Sequence, residues 1–203
     1  MMSFTLAIII LTCLVSITSF SRPEKIDEMS MWPYMIKEKK QYYRFITSGF
    51  VHGDWGHLFF NMLTLYFFSS QIESVYAQLF GSKLYFLAFY LISIILSDIP
   101  SYIKHHNNYA YRSIGASGAV SAVVFSFILF SPWSSIYVFF VKLPAIIYGV
   151  LFLGLSAYMS RRGGDNINHD AHFWGAIVGL AFPLILRPEL FNYFINQLMS
   201  KFQ

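Results

Sequence analysis

Charged side chains are scarce in this chain. Its 14 Lys and Arg and 10 Asp and Glu make up only 12% of 203 residues, about half the share of an ordinary soluble domain. That scarcity, beside 56% hydrophobic and 20% aromatic residues, excludes a water-soluble globular fold. There is one cysteine, Cys13, so no internal disulfide forms and the redox compartment is not indicated. No His-Glu-x-x-His occurs, which removes the usual zinc-protease helix, and no repeat, low-complexity tract or second domain interrupts the sequence. The formal net charge of +4 comes from basic residues in the connections, where anionic headgroups are a better partner than nucleic acid.

What the chain has instead is long apolar runs. Six are visible: Met2 to Phe20, His57 to Phe80, Leu84 to about Ile103, Gly115 to Phe130, Ile136 to Tyr158 and His172 to Leu186. This spacing predicts an all-α membrane protein, a single domain over 1–203 with six transmembrane helices. The first run lacks a basic start and a small-x-small cleavage site, so it reads as a retained helix. Residues 21–56 form the one long connection, and Trp32, Tyr34, Tyr42, Tyr43 and Trp55 suit it to the headgroup zone. Beyond Pro188, Leu190, Phe191, Phe194, Leu198 and Phe202 recur at roughly helical spacing, the pattern of a short interfacial helix over 188–203. Pro144 and Pro183 are candidate kinks in the fifth and sixth helices.

Polar residues inside such runs cost roughly 2.5 to 3.5 kcal/mol each when ionisable, so each needs a reason. Three clusters stand out: "HGDWGHLFFNM" with His57 and Asn61, "GASGAVS" with Ser117, and "HDAHFWGAIVG" with His172. All open even-numbered helices. Because successive spans alternate direction, all three lie at one side of the membrane, and His52, His105, His106 and His169 fall in loops on that side. His57 and Asn61 share a helical face, as do Ser117 and Ser121, and as do His172, Gly175 and Gly179. Glycines four apart admit a close neighbour, which would press His172 toward the Gly118 and Ala122 stretch. The fourth run spans only about 24 Å against a core of about 30 Å. Its start therefore sits below the surface, where only protein or a water-filled cavity can surround it.

A serine hydroxyl becomes a nucleophile when a base takes its proton, and imidazole is suited to that at neutral pH. Ser117 and His172 supply that pair. His57, the Asn61 amide and the Ser117 backbone N–H are the candidate donors to an oxyanion, each such donor being worth about 2.7 to 4 kcal/mol. No carboxylate completes a triad: Asp170 reads as a helix cap, which leaves a dyad. Glu73 lies about 24 Å further along its helix from His57 and reads as structural.

Together these residues resemble the rhomboid family of intramembrane serine proteases. His57-Leu-Phe-Phe-Asn61 matches its His-x-x-x-Asn, Gly115-Ala-Ser117-Gly118 its Gly-x-Ser-Gly, and Ala171-His172-Phe-Trp-Gly175 its Ala-His-x-x-Gly. Tyr43-Arg44 resembles the aromatic-Arg motif of its first loop, and Glu73 to Leu84 its junction between the second and third helices. The resemblance implies a minimal six-helix bundle of bacterial type and a serine endopeptidase with Ser117 as nucleophile and His172 as general base. It implies oxyanion binding by His57, Asn61 and Ser117, with His52 near a water-accessible mouth and Gly115, Gly118, Gly175 and Gly179 in support. Substrates would be transmembrane proteins cut in or beside their membrane segments at small residues, entering by movement of the fifth helix and loop, with water as co-substrate. No cofactor, metal or nucleic acid is implied.

Two features depart from the pattern. Many bacterial members carry Tyr four residues after the nucleophile, packed on the catalytic histidine, where this chain has Ser121. In addition, ten of the fourteen Lys and Arg residues lie in loops 1, 3 and 5. A positive-inside count puts those loops in the cytoplasm, whereas the family places the active-site loops outside it. The family orientation is adopted, in a bacterial cytoplasmic membrane, since the bases of loop 1 are interleaved with acids. Two other readings compete: a rhomboid-like binder that recognises transmembrane helices without cutting, whose relatives usually lack the serine or histidine, and a permease using the one-sided histidines, which are mostly in loops.

Overall fold

The computed structural model describes residues 3–138, 140–164 and 167–201; Met2 and Phe202, assigned above to the first run and the tail, lie outside them. Helix α1 covers Phe4–Ser19. Three short helices follow in the long connection: α2, Pro23–Met29; α3, Pro33–Lys39; and α4, Arg44–Thr47, continued by a 3₁₀ turn over Ser48–Phe50. The remaining helices are α5, Trp55–Phe80; α6, Leu84–His105; α7, Ser117–Phe130; α8, Ala145–Arg162; α9, His169–Leu186; and α10, Leu190–Met199. Of these, α6 and α9 are long and apolar enough to cross a membrane by length and composition, while α1 and α7 are shorter apolar helices.

One expectation is corrected. The helix read from Ile136 starts instead at Ala145, and an antiparallel hairpin, β1 Ser135–Val138 and β2 Val141–Pro144, precedes it. The apolar run 136–143 is β-branched and aromatic, a composition that periodicity cannot separate from a buried helix. Pro144 ends the hairpin directly before the helix, which is where a proline costs no helical hydrogen bond.

The outer surface is apolar as well as the core, and polar residues are mixed into the interior. Large apolar side chains face outward on α1 (Leu6, Ile10, Leu14), α5 (Phe59, Phe60, Tyr66, Phe67) and α8 (Val150, Leu151, Leu155), while Ser16, Ser93, Ser97, Ser101, Ser126 and Asp98 are buried. In water such an outer surface would be an aggregation hazard; against lipid it costs nothing. Helix α7 is the hub, with every residue from Gly118 to Leu129 buried and with α5, α6, α8 and α9 packed around it.

Two devices fix the bundle. Glu73, 2% exposed, accepts from Phe4 N at 3.1 Å, Thr5 N at 3.0 Å, Thr5 Oγ1 at 2.8 Å and Ser3 Oγ, and pairs with Lys83 Nζ at 3.3 Å. A carboxylate on the free N–H groups and positive dipole end of α1 joins that helix to α5. The second device is the crossing of α7 and α9. A methyl group on Gly175 would stand 2.1 Å from Gly118 O, and one on Gly179 2.2 Å from Ala122 O, so hydrogen is the only side chain that fits at either place.

The crossing makes a prediction. Gly179→Ala is expected to destabilise the protein by about 2 kcal/mol or more through overpacking. Gly154→Ala, at a site with no heavy atom within 4 Å, should leave the midpoint unchanged or raise it by up to about 1 kcal/mol. Unfolding in mild detergent compares them, and equal effects would contradict the packing account.

Candidate active site

The starts of α5, α7 and α9 converge on one cleft of about 790 Å³. His57 and Asn61 of α5, Ser117 and Ser121 of α7 and His172 of α9 all line it. Its mouth is formed by Ile26, Asp27, Asp54 and Arg112, and its deeper wall by Val120, Val124, Phe125, Tyr148 and Phe152. The glycine contacts at the crossing bring α9 against α7, and so carry His172 into the cavity that Ser117 lines. Ser117 is the first residue of α7, whose N-terminus has no side-chain cap among the described residues. Its N–H belongs to the first turn, which has no intrahelical acceptor.

His57 is held by the N-cap of its own helix, where Asp54 Oδ1 accepts from His57 N at 2.8 Å. The Cε1–Nε2 edge of its ring lies against Gly115. A Cβ there would come within 2.5 Å of His57 Cε1, and the φ of +114° at Gly115 is open to glycine alone. Asn61, one turn on and buried, donates Nδ2 to His57 O at 2.9 Å, leaving its second N–H for another acceptor. Gly118 presses on Ser97 of α6: a Cβ would stand 2.2 Å from Ser97 Oγ.

His52 is placed differently from its expected position at the mouth. It is fully buried and does not line the cleft; its ring stands edge-on to His57 at 4.8 Å. Ser16 Oγ donates to Phe50 O at 3.0 Å, so it accepts from His52 Nδ1 at 3.0 Å, and His52 Nε2 accepts from Ala116 N at 3.3 Å. The three bonds fix one neutral tautomer, with the proton on Nδ1. Burial first, and then the neighbouring His57, push the His52 imidazole from 6.5 down to about 3. A second proton would set N–H against the Ala116 N–H. The loop entering α7 thus rests on a histidine whose identity as a structural acceptor no spacing rule reveals.

Two further residues escaped sequence reasoning. Asn168, not Asp170, is the N-cap of α9, its Oδ1 accepting from Ala171 N at 3.0 Å. That oxygen also accepts from Ser101 Oγ at 3.0 Å, and Asn168 Nδ2 donates to Ser113 Oγ at 3.2 Å and Asp98 Oδ1 at 3.4 Å. The helix carrying His172 is therefore tied to α6 and to the segment leading into Ser117. Asp170 is instead a clamp: it accepts from Lys104 Nζ of α6 at 2.9 Å and from Ser160 Oγ of α8. The second residue is Phe152, whose ring centre lies 6.0 Å from that of His172 at 31°. An aromatic in an aromatic-rich span carries no distinguishing signal.

The aromatic and basic residues of the long connection also interlock. Trp32 is buried, with Arg112 3.7 Å and Arg44 5.6 Å from its ring centre, and its Nε1 donates to Tyr109 O at 3.0 Å. Arg44, 3% exposed, donates Nη1 to Asp27 O and Ser30 O and Nε to Gln41 Oε1. Met31 pairs with Ser113 as an isolated antiparallel bridge, which ties this connection to the strand-like entry to Ser117.

Fold and cleft together describe a helical membrane protein with a largely apolar cleft at one end, into which serine, asparagine and histidine side chains are gathered. A model of the Rhomboid domain matches residues 39–189, and the chain belongs to the rhomboid family, whose members are integral membrane proteins. It is similar to the mitochondrial RHOMBOID-like protein 12 of Arabidopsis thaliana, 33% identical over 150 residues, 66% of this chain and 43% of that protein. The chloroplastic Rhomboid-like protein 11 of the same plant is 29% identical over 162 residues, 75% of this chain and 55% of that one. YdcA of Bacillus subtilis (strain 168), named as a candidate rhomboid protease, is 28% identical over 153 residues, 73% of this chain and 70% of its own. The chain spans about half the length of the two plant relatives.

The His52 tautomer predicts a pH dependence. Its folded value lies below its unfolded one, so the unfolded chain binds the extra proton first, and stability present above pH 6.5 is lost as the pH falls toward about 3. His52→Gln supplies a similar donor and acceptor without titrating, and should remove that part of the slope. Unfolding midpoints measured across this range decide it; identical slopes in the two proteins would contradict the assignment.

Proposed function

We propose that this protein is an intramembrane serine endopeptidase that cuts transmembrane proteins in or beside their membrane segments. The observation that carries the reading is the convergence of Ser117, His172, His57 and Asn61 on one cleft, from three different helices. Family membership and a relative named as a candidate rhomboid protease support the same reaction. In this reading α1, α5, α6, α7, α8 and α9 cross the bilayer, the long connection lies on its surface, and water reaches the half-buried Ser117 through the mouth at Asp54 and Arg112.

The chemistry follows from the residues. His172 takes the proton from Ser117 Oγ as that oxygen attacks the scissile carbonyl carbon. The carbonyl π electrons move onto oxygen, and His57, Asn61 Nδ2 and the Ser117 N–H receive that oxyanion. Collapse expels the amine, which takes the proton from His172 and leaves an acyl-enzyme on Ser117. A water molecule, deprotonated by His172, then attacks the ester; the proton returns to Ser117 Oγ and the acid fragment departs. The rings of Phe152 and His169 pack on His172, and Asn168 caps the helix that carries it, which supports His172 as the base of a dyad.

The orientation proposed is multi-pass in a bacterial cytoplasmic membrane, with the mouth on the extracytoplasmic side. Several bases counted against it are engaged within the fold: Arg44 on Asp27 and Ser30 carbonyls, Arg112 with Asp27 and Trp32, and Lys104 with Asp170.

Purified protein reconstituted with single-span substrates tests the reading. Wild type should cut, and fluorophosphonate should label it; Ser117→Ala and His172→Ala should abolish both, and Asn61→Ala should lower kcat about 10²-fold. Cleavage or labelling that survives at full rate in either dyad variant would exclude the mechanism.

A further inference from the structure

Ser121 occupies the place from which the family resemblance predicts a tyrosine ring packed on the catalytic histidine. Here Ser121 Oγ donates back to Ser117 O at 2.8 Å, and its short side chain leaves that side of the cleft open. A ring nevertheless reaches His172, from a different helix. Phe152, in the middle of α8, lies 6.0 Å from His172 centre to centre at 31°, within the range of favourable aromatic packing. His169 stands edge-on to the same imidazole at 5.8 Å. Phe152 is itself braced by Phe125 of α7 at 5.7 Å and Tyr148, one turn earlier, at 5.6 Å.

We infer that Phe152 is a positioning residue for His172, so that a ring on α8 helps to hold the base in register. The inference rests on the Ser117–His172 reading above. Its consequence is a coupling. Helix α8 faces outward with Val150, Leu151 and Leu155, follows a hairpin, and is joined to α9 at its far end through Ser160 and Asp170. When α8 is seated, the Phe152 ring supports His172; displacing α8 withdraws it. Imidazole alignment toward Ser117 then depends on whether α8 is closed on the bundle.

The test is steady-state cleavage of a single-span substrate in proteoliposomes, together with the rate of fluorophosphonate labelling at Ser117. Phe152→Ala should lower kcat and the labelling rate together by about 2- to 12-fold, the worth of one aromatic contact of about 0.5 to 1.5 kcal/mol, with KM changed less than about twofold. Phe152→Tyr keeps the ring and should keep most of the rate. Adding Ser121→Tyr to Phe152→Ala returns a ring to His172 from α7 and should restore most of the lost rate, which no general loosening of the fold would do. Wild-type kcat in Phe152→Ala, a loss confined to KM, or no recovery in the double variant would overturn the inference. Ser117→Ala and His172→Ala run alongside: activity in those would sink the dyad itself, whereas their inactivity with an unaffected Phe152→Ala would sink only the role of Phe152.

Discussion

The contact between α7 and α9 is the constraint on which the rest depends. Two glycines of α9 sit on the backbone of α7 so closely that a methyl group at either would come within 2.2 Å of a carbonyl oxygen. In a membrane no hydrophobic force drives apolar helices together, so association rests on van der Waals contact and on backbones small enough to meet. Here that contact carries a histidine on one helix and a serine on the other into a common cleft.

Around that crossing, three parts of the site are held by contacts from outside their own element. His57 depends on the missing side chain of Gly115, the loop into α7 depends on a neutral His52, and α9 depends on Asn168 reaching both α6 and Ser113. Such buried polar networks favour one arrangement strongly when every partner is satisfied. The aromatic support for His172 comes from α8, whose apolar outer face is exposed and whose start is a hairpin rather than a buried turn.

Much of this was legible in the residues because membrane physics makes polarity expensive. Histidines, asparagine and serine at matched ends of alternate apolar runs stood out against a background with few charges, and the four-residue spacing of Gly175 and Gly179 announced the close approach. The hairpin before α8 was hidden, since Ile136, Tyr137 and Val138 suit a strand and a buried helix equally. His52 and Asn168 were hidden for another reason: their roles lie in which atoms they accept from, across 64 and up to 70 residues of sequence, and no local pattern encodes that. Asp170 looked like a cap by position, but Asn168 stands where its side chain can reach the Ala171 N–H.

The most direct test of the account is a high-resolution structure of the protein after reaction with a fluorophosphonate. The account predicts phosphorus bonded to Ser117 Oγ, a phosphonyl oxygen within about 3 Å of His57, Asn61 Nδ2 and the Ser117 N–H, and His172 beside the Ser117 oxygen. An adduct on another residue, or an oxygen turned away from those donors, would contradict it.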